Sequence, residues 1–451
     1  MNLFSLIKGH ATFAHGGVHP LEHKEETAGL AIRRLPFAPK LVVPLSQHKG
    51  APAKPIVKVG EEVVRGEPIA ESDGHVSVPM HAPATGRVVA IDLWTTAEGP
   101  KAPAIVIDVY DAASQQILYE EEVDIMRQAP DEIVRLVKDA GLVGLGGAAF
   151  PSHVKMLPPA GKMIHTLIVN GCECEPYLTC DHRVMLEHTD ALIRGIRIAM
   201  RATGARRALI GVEDNKMDAV RTISERLPEN DTIEVKAVEA KYPQGAEKML
   251  IESLLGQQIP EGGLPVDLGV AVYNVGTLAQ MGELLPRGRG LIERVVTVSG
   301  AGVAQPGNYL VPIGTPLGFL LKAAGVDAEA NKVILGGPMM GMTVASLDVP
   351  ITKGVSGVVA NAVGNSDQDE RRVYPCIKCS RCVEACPMRL NPSMLAQLAK
   401  KREYECMESD FHLNQCFECG CCAYVCPSNI PLTQYFRIAK AINRERPALA
   451  S

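Results

Sequence analysis

Cysteine is the residue type in this sequence with the most chemistry to offer. Of 13 cysteines, ten lie between Cys376 and Cys426, and eight of these fall in two runs of one spacing. The runs are Cys376-x2-Cys379-x2-Cys382-x3-Cys386-Pro387 and Cys416-x2-Cys419-x2-Cys422-x3-Cys426-Pro427. Thiols so placed serve as oxidised pairs, as zinc ligands or as iron ligands. Disulfide frameworks belong to short secreted chains with even counts. This chain has 451 residues and an odd count, and we read no export signal in Met1–Ala14. Structural zinc usually takes two separated CxxC pairs, not three thiolates in one tight loop with a fourth before proline. The spacing C-x2-C-x2-C-x3-C-P is the one that holds [4Fe–4S] clusters. Three thiolates on a compact loop reach three irons of a cubane while loop amides point at its sulfides.

In the bacterial ferredoxin arrangement the fourth cysteine of each run ligates the other cluster. We therefore expect Cys376, Cys379, Cys382 and Cys426 around one cluster, and Cys416, Cys419, Cys422 and Cys386 around the second. Cys406 and Cys421 are read as packing residues. The segment from Asn391 to Cys406 carries Met394, Leu395, Leu398 and Ala399 at helical spacing, which predicts one helix packing the two loops together. A second helix is expected over Pro431–Arg444, with proline in its first turn. Two adjacent clusters make a one-electron wire.

Composition narrows the setting of that wire. Hydrophobic residues make up 46% and charged residues 22%, the balance of a folded soluble chain. No apolar run approaches the ~20 residues of a membrane-spanning helix. A net charge of −5, with one Trp and 4% aromatic residues, argues against a nucleic-acid binder. The length suggests several domains.

Residues 56–92 hold short β-rich segments with Gly turns: Val57-Lys58-Val59-Gly60, Pro68-Ile69-Ala70, and His81-Ala82-Pro83-Ala84-Thr85-Gly86-Arg87-Val88-Val89. They resemble the barrel-sandwich fold of biotinyl and lipoyl carriers. Those carriers bear a modified Lys at a hairpin tip, whereas the tip here reads Val78-Pro79-Met80-His81. We expect the shape without the swinging arm. Upstream, His15, His19 and His23 flank Gly16-Gly17; with nothing to fix a fourth ligand, they read as a Gly-rich turn with incidental histidines.

From residue 120 to 285 the period alternates. Strands are expected at Met163–Val169, Ala208–Val212, Thr232–Val238 and Gly269–Val275, and helices at Thr189–Ala202, Asn215–Leu227 and Gly245–Leu255. That alternation implies a parallel sheet in a layered α/β domain, with chemistry at the carboxyl ends of the strands. Three loops qualify. Gly141–Pro151 is rich in glycine, and Lys155 follows; exposed amides and a point charge suit a phosphate. It is neither a Walker loop nor a GxGxxG fingerprint. Asn170-Gly171-Cys172-Glu173-Cys174-Glu175-Pro176 could orient a polar ring or a ribose, or simply cap a helix. Tyr242-Pro243-Gln244-Gly245-Ala246-Glu247-Lys248 opens a helix.

The series GxGGAxFPxxxK, N-x-x-E-x-E-P, Y-P-x-G-x-E-K and Asn274-Val275-Gly276-Thr277 is similar to the flavin- and NADH-binding subunit of respiratory complex I. The resemblance implies FMN with its phosphate on the Gly-rich loop and nicotinamide stacked above the isoalloxazine. The matching positions are Gly144, Gly146, Gly147, Ala148, Phe150, Lys155, Asn170, Glu173, Glu175, Tyr242, Glu247, Asn274 and Thr277. Leu145, Cys172, Ala246, Tyr273 and Gly276 replace an Arg, an Asp, a Glu, an Asn and a Glu of that family. Cys172, Cys174 and Cys180 lack ligand spacing and are read as incidental.

Residues 293–350, with Pro306-Gly307-Asn308-Tyr309 and Leu335-Gly336-Gly337-Pro338-Met339-Met340-Gly341, look like the small β-grasp module that follows the flavin domain in that relative. Barrel-sandwich front, α/β flavin domain, β-grasp module and double [4Fe–4S] tail together resemble the C-subunit family of the Rnf (also called Rsx) electron-transport complexes. The expected domains are 1–115, 116–288, 289–362 and 363–451. The resemblance implies NADH as substrate and FMN and two [4Fe–4S] clusters as cofactors. It implies membrane and iron–sulfur subunits as partners, with ferredoxin or flavodoxin beyond them. It places the chain at the cytoplasmic face of the bacterial inner membrane, as a peripheral subunit. Two other readings use the same residues: an iron–sulfur wire with a decayed flavin pocket, and a soluble NADH dehydrogenase or diaphorase.

Overall fold

The computed structural model describes residues 10–111, 113–118, 121–327, 331–362 and 372–449. Residues 1–9 and the expected domain boundary at residue 363 lie outside the described residues. After β1 (Arg33–Arg34), seven strands form the front domain: β2 (Lys40–Pro44), β3 (Lys54–Pro55), β4 (Glu62–Val63), β5 (Pro68–Glu71), β6 (Met80–His81), β7 (Gly86–Trp94) and β8 (Ala102–Val109). They make two antiparallel sheets, β2-β8-β7-β4 and β3-β5-β6. Leu41, Val43, Ile69, Val88, Ile105 and Ile107 are fully buried in the domain.

The hairpin tip is held fast against the rest of the molecule. Lys353, from a distant part of the chain, is buried and donates to the carbonyls of Pro79 (3.1 Å) and Gly141 (2.7 Å). A Cβ on Gly290 would stand 2.3 Å from the His81 ring, so glycine is required there for the tip to seat.

The second sheet is β9 (Thr166–Gly171), β10 (Arg207–Glu213), β11 (Ile233–Val238) and β12 (Val270–Asn274), all parallel, in the order β11-β10-β9-β12. Covered on both faces, such strands are apolar nearly throughout, and Leu167, Ile168 and Val169 are fully buried. Helices Thr189–Thr203 and Val275–Leu284 approach backbone to backbone. A Cβ on Gly195 would lie 1.8 Å from Leu278 O, and one on Gly282 1.9 Å from Ala191 O.

The third sheet is built from β13 (Glu293–Ser299), β14 (Gly307–Pro312), β15 (Asn331–Leu335), β16 (Met342–Thr343) and β17 (Gly357–Ala362). Its edge is completed by β1, parallel to β14. Within the expected N-terminal segment and barrel-sandwich domain (1–115), residues 10–35 add no strand to the two barrel sheets: they bridge Ala11 to Val238 and Val18 to Tyr242 before β1 joins the third sheet. Unpaired edge groups on β14 supply the driving force.

The cysteine-rich domain is helical. The single helix expected over 391–406 is two, Pro392–Lys401 and Tyr404–Ser409. Arg402 is left-handed (φ 61°), and Glu403 N–H returns to Leu398 O at 3.0 Å, which satisfies the last turn and stops it. The final helix runs from Leu432 to Leu449, beyond the expected Arg444.

Burial pushes the Lys353 amine down from 10.5 to about 7. The folded chain prefers the neutral amine, so this stability is complete above pH 10.5 and is lost as pH falls from there to about 7. Thermal midpoints between pH 7 and 10.5 should rise more steeply in the native protein than in Lys353→Met. Parallel profiles would refute the assignment.

Candidate functional site

The two cysteine runs exchange their fourth members. Cys376, Cys379, Cys382 and Cys426 line one cavity of about 240 Å³. Cys386, Cys416, Cys419 and Cys422 line a second, smaller one. None of the 13 cysteines is in a disulfide. Four thiols around each cavity, three from one loop and one from the other run, match the ligand set of a [4Fe–4S] cubane.

The two loops repeat each other in backbone as well as in sequence. Lys378 (φ 55°) and Ser380 (φ 62°) in the first correspond to Glu418 (φ 62°) and Gly420 (φ 84°) in the second. Arg389 (φ 56°) and Asn429 (φ 51°), three residues past each fourth cysteine, correspond likewise. Left-handed residues between right-handed ones turn successive N–H groups to one side, the nest that suits anionic sulfide. A four-thiolate cubane fits both sites. Cys406 lies outside both cavities, whereas Cys421, read as a packing residue, is fully buried and also lines the second cavity beside Cys419 and Cys422.

The parallel sheet places its own site by topology. The chain steps from β9 to β10 to β11, then returns to add β12 on the other side of β9. Loops leaving β9 and β12 therefore part at a crevice beyond Asn170 and Asn274, which are register partners. The Gly-rich loop closes that crevice. Gly144 N–H donates to Phe150 O (2.8 Å) and Ala149 N–H to Gly144 O (3.0 Å). Leu145 N–H donates to Thr277 Oγ1 (2.9 Å), and a Cβ on Gly146 would touch Asn274 at 3.3 Å. Gly147 has φ 105° and open space where a Cβ would stand. Gly146, Gly147 and Ala148 are exposed, and their amides have no partner among the described residues. Lys155 Nζ sits at the mouth, 3.1 Å from Glu247 and 3.3 Å from Val272 O. Free amides over an open glycine cradle, with an ammonium nearby, fit the phosphate of FMN.

Asn170 and Asn274 are fixed by the protein. Asn170 Nδ2 donates to Gly245 O (2.8 Å), and its Oδ1 accepts Cys172 N–H (3.0 Å). Asn274 Oδ1 caps the following helix at Thr277 N–H (3.2 Å), while Nδ2 donates to Asp181 (2.6 Å). Burial and the neighbouring Glu173 push the Asp181 carboxyl up, to about 7.

Three expected cofactor residues have other partners. Glu173, buried, accepts the N–H groups of Asp181 (2.9 Å) and His182 (3.2 Å), which makes it the helix cap left open by the sequence. Glu175 accepts the N–H groups of Met339 (3.0 Å) and Met340 (2.8 Å) in the third domain; burial pushes its pKa up to about 7. Tyr242, 2% exposed, donates its hydroxyl to Cys419 O at 2.7 Å and so faces the second cysteine cavity. The resemblance assigns these three residues to the cofactor, and in this structure their polar atoms also join the site to a helix start, the third domain and the cysteine domain.

Other residues that hold the site carry no local signal. Buried Lys24 donates to the carbonyls of Glu173 and Leu178 (2.8 Å to the latter). Buried Arg294 donates to Leu145 O (3.3 Å) and Lys353 O, so a third-domain guanidinium steadies the Gly-rich loop. Gly16 and Gly17 (φ 70° and 86°) press against the cysteine domain. A Cβ on Gly16 would lie 2.7 Å from the Cys386 carbonyl carbon, and Gly17 N–H donates to Ala385 O (3.0 Å). The glycines, not the histidines, were the informative residues of that motif: His19 pairs with Glu239 and His23 stacks on Tyr177.

Comparison with known proteins agrees with this arrangement. Four stretches match described domains: the RnfC barrel sandwich hybrid domain at residues 12–111, the Nuo51 FMN-binding domain at 137–283, the SLBB domain at 295–343 and a 4Fe-4S dicluster domain at 375–430. Over 95% of its length the chain is 41% identical to the C-subunit of the proton-translocating ferredoxin:NAD(+) oxidoreductase complex of Clostridium ljungdahlii, of which it covers 93%. It is 38% identical to the C-subunit of the Na(+)-translocating complex of Acetobacterium woodii over 89% of this chain and 90% of that one. The C-subunit of the ion-translocating oxidoreductase complex of Citrobacter koseri is 39% identical over 94% of the chain, which spans 60% of that longer protein. A solved NAD+-reducing [NiFe]-hydrogenase chain shares the fold, with a TM-score of 0.53 at 22% identity over 70% of this chain and 64% of that one. The chain therefore belongs to the C-subunit family of the ion-translocating ferredoxin:NAD+ oxidoreductase, or Rnf, complexes.

Proposed function

We propose that this chain is the electron-input subunit of an ion-translocating NADH:ferredoxin oxidoreductase. It oxidises NADH at FMN and passes single electrons through two [4Fe–4S] clusters to partner subunits. The observation that carries this reading is one contact: the Tyr242 hydroxyl, on a loop of the flavin-type site, bonds the carbonyl of the cysteine Cys419. Bound FMN would accept a hydride and release its electrons one at a time.

The chain's own residues have narrower tasks. The amides of Gly146, Gly147 and Ala148, with Lys155, hold a phosphate. Asn170 and Asn274, locked by Gly245 and Asp181, set the edge against which a ring is oriented. Cys376, Cys379, Cys382 and Cys426 hold one cluster, and Cys416, Cys419, Cys422 and Cys386 the other. No helix among the described residues is long and apolar enough to cross a membrane. We assign ion movement to partner subunits, with this chain as a peripheral module on the cytoplasmic side. Ferredoxin or flavodoxin is the distal carrier.

Three outcomes test the reading. Anaerobic reconstitution should yield about eight iron atoms per chain and one FMN, and NADH should bleach cluster absorbance; zinc in place of iron, or no bleaching, refutes it. Lys155→Ala should weaken FMN binding by about tenfold or more, the loss of one charged hydrogen bond, with iron content unchanged. Tyr242→Phe keeps the ring but removes the donor. It should change the EPR signature of the cluster bound by Cys419 and leave the other as it was; equal change in both would sink the assignment.

A further inference from the structure

Three parts of the molecule converge on a short strap beside the Gly-rich loop, Thr352-Lys353-Gly354, shortly before β17. Lys353 is 1% exposed. Its backbone N–H donates to Gln47 Oε1 of the barrel (3.0 Å), and its carbonyl accepts Arg294, which also reaches Leu145 O. Its amine donates to Pro79 O at the barrel tip and to Gly141 O where the Gly-rich loop begins. The next residue touches the cradle itself: a Cβ on Gly354 would lie 3.4 Å from Ala149 Cβ and 3.5 Å from Gly147 O. Lys353 therefore holds the loop at Gly141 directly, at Leu145 through Arg294, and at Gly147 and Ala149 through its neighbour.

The Lys353 amine has no ion pair among the described residues. Around it are Arg294 from β13, His81 from β6, His48 from the loop after β2 and His153 from helix Ser152–Met156. Burial holds His48 at about 4 and His81 at about 3 and pushes His153 down as well, where His75, Lys138 and Asp139 also act on it. Above pH 7 these rings are neutral, and Lys353, at about 7, is the member of the cluster that titrates. A neutral amine has two hydrogens, and both go to carbonyls. An ammonium has a third, and His81 Nδ1, buried and without a partner, is an acceptor for it in the tautomer protonated at Nε2. A Cβ on Gly141 would stand 2.8 Å from Lys353 Nζ and 3.6 Å from His81 Nδ1, so glycine there leaves room for the ammonium. Room and acceptors are in place; what the cluster lacks is a negative charge.

We propose that Lys353 is a positioning residue whose proton is coupled to the cradle. It takes up one proton from solvent when a phosphate occupies the amides of Gly146, Gly147 and Ala148, and the ammonium then grips the loop more firmly. The proposal rests on the placing of FMN's phosphate on this loop and adds a proton-linked control of its affinity from another domain. One N–H bond forms on Nζ, the buffer supplies the proton, and no other bond changes. Charge acts over a longer range in this poorly solvated interior than at the surface, which lets the amine sense the anion across one residue of strap.

Calorimetry on the full-length, cluster-loaded protein stripped of flavin tests the coupling without reference to activity. FMN is titrated in Tris and in HEPES, whose heats of protonation differ, at about pH 8, where its phosphate (second pKa about 6) is already ionised. The heats should differ between buffers by the uptake of up to about one proton per FMN. Riboflavin, which lacks the phosphate, should show no buffer-dependent heat. FMN affinity of the native protein should fall about fivefold or more from pH 7 to about pH 9, where the bound form keeps a proton that the empty one has lost. Lys353→Met should bind FMN with equal heats in both buffers and little change over that range, with iron content unchanged. Buffer-independent heats for FMN in the native protein overturn the proposal; so does proton uptake with riboflavin, or native-like uptake in Lys353→Met. Should the variant fail to fold, the two native titrations decide alone. FMN that does not bind at all refutes the placing of phosphate on this loop, whereas binding without proton uptake refutes the Lys353 coupling alone.

Discussion

Electrons pass between redox groups only where the groups are held close, and in this chain the closeness turns on one buried contact between domains. Tyr242 bonds the Cys419 carbonyl, and three unrelated segments are arranged around it. The N-terminal strap lays Gly16-Gly17 against Cys386 and Ala385. The Gly336–Gly341 loop of the third domain is gripped by Glu175 on one side and meets Gly420 on the other, where a Cβ would come 2.7 Å from Met339 O. Arg437, from the last helix, donates to Met340 O. The last two contacts join the same third-domain loop to the cysteine domain.

The same logic accounts for groups that are costly to bury. Lys24, Arg294 and Lys353 each lose hydration and recover it from backbone carbonyls rather than from a carboxylate. Carbonyl partners fix position without a counter-charge, and all three side chains pin separate segments of the chain together. The barrel-sandwich domain shows the structural use of this. Its hairpin tip is anchored by Lys353, and elsewhere in the domain Lys49 N–H reaches Ala149 O of the Gly-rich loop.

Leu145 is buried in the Gly-rich loop, and Arg294 of the third domain donates to its carbonyl, so a guanidinium reaches this region from another part of the chain. Gly276 leaves room beside Asp181, whose carboxylate turns inward to hold Asn274. The crevice keeps its polar frame although the individual residues differ.

Short-range chemistry was legible in the sequence. The cysteine spacing determined which thiols share a loop, strand and helix periodicity determined the parallel sheet, and glycine with lysine marked the anion loop, because each depends on neighbours within a few residues. The break at Arg402 and the fate of Glu173, Glu175 and Tyr242 were not legible. A carboxylate or phenol can satisfy itself with a ring, a helix end or another domain, and only packing selects among them. Which thiols sit buried and which face solvent likewise followed from how the four domains close on one another. Spacing fixes what a residue can bind, whereas tertiary structure decides what is left within its reach.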